Sequence, residues 1–132
     1  MSEQFEGGCI CGAVRFVATG QPKWVAWCHC ESCRKHSGAP VSVFVAFEHA
    51  YYTVTKGEIT KFNSSPRTRR GFCAQCGSTL TCESERLPTE THFHVGAFDQ
   101  ARSLSQQGTS SRRSDCLGCI WATLRLAAAP LP

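Results

Sequence analysis

Residues 72–78, FCAQCGS, decide how this chain has to be read. Cys73 and Cys76 form a C-x-x-C pair followed by Gly77, the spacing of a knuckle turn that sends two thiols the same way and aims backbone N–H groups at them. Two thiols are half of a tetrahedral site. Cys9 and Cys11 supply the other half, because alternate side chains of an extended C-x-C segment share one side. Pairing these half-sites ties the start of the chain to its middle. It gives a closed, structural zinc site that contributes on the order of 10 kcal/mol to folding.

Working outward, residues 27–40 read WCHCESCRKHSGAP and hold a third cluster, Cys28, Cys30 and Cys33, as C-x-C-x-x-C. Three thiolates with the fourth position left for water or substrate is the pattern of a catalytic zinc. His29, His36 or a distant cysteine closes the site in the alternative reading. Two zincs per chain are therefore expected.

The chain has 132 residues, including 10 cysteines, and a formal net charge of +4. Its length fits one domain with a core small enough to benefit from a metal staple. The opening MSEQFEGG has neither a basic nor an apolar leader region, and no apolar run approaches a membrane span. A reducing, cytoplasmic setting is expected, and with it metal sites over disulfides. The mild positive charge suits a small anionic ligand as well as nucleic acid, so alone it selects neither. Arg67–Arg70, RTRR, reads as a solvated loop without interleaved aromatics, so no nucleic-acid partner is expected.

The alternating, β-branched stretches 12–20, 41–47, 51–62 and 91–98 read as strands, with 41–47 and 51–62 as hairpin-linked segments. Gly- and Pro-rich turns separate them, near Pro22, Gly38, Pro66 and Pro88. No segment carries a sustained helical period. The expected architecture is mainly β, of short coiled strands around metal knuckles, with little helix. His92 and His94 share a strand face within reach of a metal, and Trp24 and Trp27 read as core or pocket wall.

In order, GGCICGAVRF from Gly7, CHCESCRKHSGAP from Cys28, GEITKFNSS from Gly57, RRGFCAQCGSTL from Arg69 and VGAFD from Val95 resemble the glutathione-dependent formaldehyde-activating enzyme family. The resemblance implies an Mss4-like fold. It also implies a structural zinc on Cys9, Cys11, Cys73 and Cys76 and a catalytic one on Cys28, Cys30 and Cys33. The implied reaction joins formaldehyde, or a related small aldehyde, to glutathione, formally a carbon–sulfur lyase in reverse. Glutathione carries two carboxylates. Arg34 and Lys35 are the nearest cations to receive them, with Arg15 behind, and His36 is placed to shuttle a proton. A zinc-ribbon-like binding module with purely structural zincs is the alternative. A redox-sensing or metal-storage role would need Cys82, Cys116 and Cys119 beside the clusters.

The resemblance stops near the end of a single domain at residues 1–104. Back-translated with permitted codons and read two bases out of frame from about Leu104, the tail can give PAGHIFAEERLPWLHLGD, which looks like the family's usual ending. Residues 105–132 are therefore read as an atypical, frameshifted tail. Cys116 and Cys119 then have no evolved metal role; in the competing reading their C-x-x-C completes a site.

Overall fold

Hydrophobic alternation divides the chain between two antiparallel sheets in a computed structural model that describes residues 3–105. The tail at 106–132, with its frameshift reading and with Cys116 and Cys119, lies outside the described residues. A three-stranded sheet has the order β1 (Gln4–Gly8), β2 (Arg15–Thr19), β5 (Tyr52–Lys56). A six-stranded sheet has the order β3 (Trp24–Cys28), β4 (Ser42–Glu48), β9 (Glu90–His94), β8 (Thr79–Ser84), β7 (Thr68–Phe72), β6 (Thr60–Ser65). The expected β-rich, Mss4-like fold with little helix is what forms.

Two short helices complete it. Helix α1, Glu31–Ser37, begins where the Cys30 thiol accepts the Cys33 N–H and ends at Gly38, whose φ of 75° is the left-handed stop. At 7 residues it is too short for a helical period to register in the sequence. Helix α2, Ala101–Ser105, closes the described chain and buries Leu104 in the core.

The period of two gives the six-stranded sheet two faces with different contents. Val25, Val45 and Phe93 look toward the three-stranded sheet and pack with Phe5, Phe16 and Ala18. Phe16 lies 4.6 Å from the Phe93 ring and meets Phe98 edge-on at 5.2 Å. Each buried phenylalanine contributes about 1.5–3 kcal/mol here. The opposite face carries Trp24, Ala26, Cys28, Phe44, Ala46 and Cys82, under which Cys30 and Cys33 are tucked.

Two readings change. Segments 41–47 and 51–62 are not hairpin partners: a 3-10 turn at His49–Tyr51 redirects the chain, β5 joins β2, and β6 crosses back to pair with β7. The turn after β5 needs Gly57, at φ 68°, because a Cβ there would stand 2.1 Å from the Ala13 carbonyl oxygen. The RTRR stretch is strand β7 for most of its length, with Arg69 exposed and Arg70 buried.

At the start of β9, on the site-bearing face, Glu90 is 2% exposed and accepts from Trp24 Nε1 at 2.9 Å, His92 Nε2 at 3.0 Å and Lys23 Nζ at 2.9 Å. Burial opposes its charge, but His92, Lys23 and Trp24 outweigh that and hold the carboxyl at about 2 instead of 4.5. That depression contributes on the order of 3 kcal/mol, complete above the ordinary value and lost as pH falls through the folded one. Urea unfolding should therefore separate wild type from Glu90→Gln most at neutral pH, and the two curves should converge toward pH 2, about the folded value.

Candidate metal centres

Two tight turns face each other at the first cluster. Cys9 N–H reaches the Val14 carbonyl at 3.1 Å and Gly12 N–H the Cys9 carbonyl at 3.2 Å; Gly77 N–H closes the second turn on the Cys73 carbonyl at 2.8 Å. Gly12 and Gly77 take φ of 80° and 76°, which lets each chain fold back after its cysteines. Ser78 Oγ pins the turns together by accepting the Ile10 N–H at 3.0 Å.

The sulfurs of Cys9, Cys11, Cys73 and Cys76 all lie within 4.8 Å of one another, with Cys9–Cys11 at 3.5 Å and Cys11–Cys73 at 3.8 Å. Zinc–sulfur bonds of about 2.3 Å in a tetrahedron need sulfurs roughly 3.8 Å apart, so this donor set fits zinc. Backbone donors are in place as well, Val14 N–H pointing at Cys9 Sγ from 3.2 Å. Cys76 is drawn down to about 5, first by the Ser78 hydroxyl and then by its amide. Cys11 is pushed up to about 11: the Ala13 amide favours its thiolate, but crowding by Cys9, Cys76 and Cys73 prevails. Four thiolates this close require a cation to ionise together.

On the far face of the six-stranded sheet, the end of β3 and the start of α1 gather Cys28, Cys30 and Cys33, again within 4.8 Å of one another and all buried. Cys28 and Cys33 are 3.4 Å apart, which also fits zinc. Arg70, 1% exposed, donates through Nη1 to Cys33 Sγ at 3.2 Å. The motif reading missed this guanidinium; the only signal was a basic residue at an inward position of β7, visible once the strand's phase is known. Cys82 packs in the same buried cluster without joining the group of sulfurs. His92 turns its Nε2 to Glu90, and neither it nor His94 enters a metal-ligating group among the described residues.

A cavity of about 650 Å³ opens beside the first cluster, with Cys9 in its lining and none of Cys28, Cys30 and Cys33. Its wall includes Cys9, Arg15, Ser37, Ser42, Thr79 and His94. Ser42 pairs with Cys28 across the strands, and Ser37 Oγ donates to the Cys33 carbonyl at 2.7 Å, so two residues of this wall adjoin Cys28 and Cys33. His36 reaches the same wall through Thr79, its Nδ1 lying 2.8 Å from Thr79 Oγ1. Burial, then the Arg70 charge, holds the His36 imidazole below its ordinary range. Arg15 faces Asp99 at the rim through two contacts, 2.5 and 3.2 Å. Arg34 and Lys35 are exposed on α1, with Lys35 paired to Glu31 at 3.1 Å, and neither lines the cavity.

Because the four-thiol cluster joins two otherwise separate turns, its loss should be felt by the whole fold. Chelation of the zinc-loaded chain, or Cys73→Ser, is expected to erase the near-ultraviolet circular dichroism and lower the midpoint of thermal unfolding sharply. Retention of a cooperative transition at the original midpoint would argue against a structural role.

Residues 4–113 match the family model described as glutathione-dependent formaldehyde-activating enzyme. The chain is 33% identical over 78 residues to an uncharacterised lyase of Schizosaccharomyces pombe, covering 58% of this chain and 56% of that protein. It is 33% identical over 106 residues to a Halomonas elongata protein provisionally named a glutathione-dependent formaldehyde-activating enzyme, covering 71% of this chain and 65% of the other. The chain thus spans less than two thirds of the length of these curated relatives. A crystal structure of a Rhodobacter sphaeroides protein superposes with a TM-score of 0.58 at 19% identity, over 72% of this chain and 88% of that one, which supports the fold. With most of its length matched by that family model, the chain belongs to the glutathione-dependent formaldehyde-activating enzyme family.

Proposed function

We propose that this chain is a zinc-dependent carbon–sulfur lyase-type enzyme, joining glutathione to formaldehyde or a related small aldehyde. The observation that carries the reading is the group formed by Cys28, Cys30 and Cys33, three sulfurs without a fourth cysteine or histidine in the group among the described residues. Cys9, Cys11, Cys73 and Cys76 would hold a structural zinc, and Cys28, Cys30 and Cys33 a catalytic one. Zinc on three thiolates supplies a place where an incoming thiol is held deprotonated.

The balance is simple. A carbon–sulfur bond forms as the carbonyl π bond of the aldehyde breaks, and the proton lost by the thiol ends on the former carbonyl oxygen, giving S-hydroxymethylglutathione. The cavity of about 650 Å³, walled in part by Ser37 and Ser42, is large enough to hold a tripeptide beside the residues that adjoin Cys33 and Cys28, and bringing both partners together is the main help a reactive aldehyde needs. Held in its neutral form near pH 7, His36 accepts the proton and returns it through the Thr79 hydroxyl, which faces the cavity. Arg15 stands at the rim to meet a carboxylate, exchanging Asp99 for it, while exposed Arg34 and Lys35 add positive charge on α1. Among the described residues no helix is long and apolar enough to cross a membrane, and a cytoplasmic setting would supply the thiol.

Formaldehyde and glutathione also combine without help, so the test measures exchange. Two-dimensional exchange NMR on a glutathione–formaldehyde mixture should show the interconversion accelerated by the zinc-loaded protein. Cys30→Ser is expected to remove the acceleration, and His36→Gln to reduce it about 100-fold. Unchanged exchange with fully loaded protein would sink the enzyme reading and leave a binding module with purely structural metals.

A further inference from the structure

Among the buried groups of the described residues, Arg70 is one that motif reading did not absorb. It projects from the middle of β7 onto the site-bearing face, in register with Cys82 on β8, and is 1% exposed. Its neighbour Arg69 points the other way and pairs with Glu83 at 2.9 Å. One guanidinium is therefore a surface ion-pair partner and the next is a buried charge. Taking a guanidinium out of water is unfavourable by several kcal/mol unless an anion and good hydrogen bonds meet it. Arg70 Nη1 meets Cys33 Sγ at 3.2 Å, and Nε donates to Ser64 Oγ at 3.1 Å, which fixes the fork in place.

A neutral thiol is a weak acceptor for such a donor. Three thiolates around a divalent cation carry one net negative charge, and an arriving thiolate makes it two. We infer that Arg70 is the positioning residue and built-in counter-cation of the Cys28–Cys30–Cys33 centre, setting how firmly that centre holds its metal and how readily it accepts a substrate thiolate. This rests on the reading of the three cysteines as a metal site. The donated hydrogen bond draws electron density from Cys33 sulfur, and the fixed positive charge favours the more negative, thiol-loaded state. The same contact ties β7 to α1, so the phase of one strand governs the chemistry of a loop far away in sequence.

Cobalt(II) provides the probe, since its sulfur-to-metal absorption reports each site directly. Wild type should take up two cobalt ions, with glutathione changing the spectrum of one. Arg70→Gln should weaken retention of that ion against a chromophoric chelator by about 10- to 100-fold, shift its absorption and blunt the response to glutathione. Arg70→Lys, which keeps the charge and loses the fork, should recover part of the affinity. Ser64→Ala, at an exposed position, should move the same readouts the same way by less, and serves if Arg70→Gln folds poorly. The Cys9–Cys11–Cys73–Cys76 ion is the internal control and should not change. Two ions in wild type with both indifferent to Arg70 would overturn the inference and leave the metal reading standing. A single ion in wild type would overturn the metal reading itself, and parallel loss of both ions in the variants would reduce Arg70 to a fold residue.

Discussion

Everything in this molecule depends on bringing Cys9 and Cys11 against Cys73 and Cys76. The first pair directly follows β1 of the three-stranded sheet, and the second forms the turn between β7 and β8 of the six-stranded one. Four sulfurs within 4.8 Å therefore clamp the two sheets at one end, where the phenylalanine core would otherwise have to hold them unaided. The contact spans more than sixty residues of sequence, as the 3.8 Å approach of Cys11 and Cys73 records. Closing such a loop is entropically unfavourable, and a metal bound across it is the kind of interaction that offsets the loss.

Fixing that end also settles what the far face of the larger sheet can carry. One face must be apolar to meet the small sheet, and the period of two then sends Cys28, Phe44, His94, Cys82 and Arg70 to the other side. Helix α1 covers this face and brings Cys30 and Cys33 down onto it, the Cys30 thiol capping the helix that Cys33 sits in. The three thiols are consequently formed by local sequence but shielded, charged and approached by strands from elsewhere.

Polar groups on this face divide into two kinds. Trp24, His92 Nε2 and Lys23 all donate to Glu90 and anchor the sheet beside the site. Arg70, His36 and Thr79 instead converge on the thiols and the cavity. The separation explains why His92, a plausible ligand from its position on the strand, is occupied by a carboxylate, and why a residue from a supposed surface loop stands against Cys33.

The sequence by itself determined the two cysteine groupings, the β-rich class and the family, because ligand spacing in knuckle turns and alternation in strands are local properties that adjacent residues dictate. It marked His36 as a proton carrier, and Arg15, behind Arg34 and Lys35, as a cation for the substrate. Only the tertiary structure decided that β5 leaves β4 for the other sheet, that Arg34 and Lys35 lie away from the cavity, and that Arg70 is buried on Cys33. Each of these follows from strand phase and sheet partnership, which are set by competition among distant segments for the same apolar surface. A spacing rule that reads a few residues at a time carries no record of that competition.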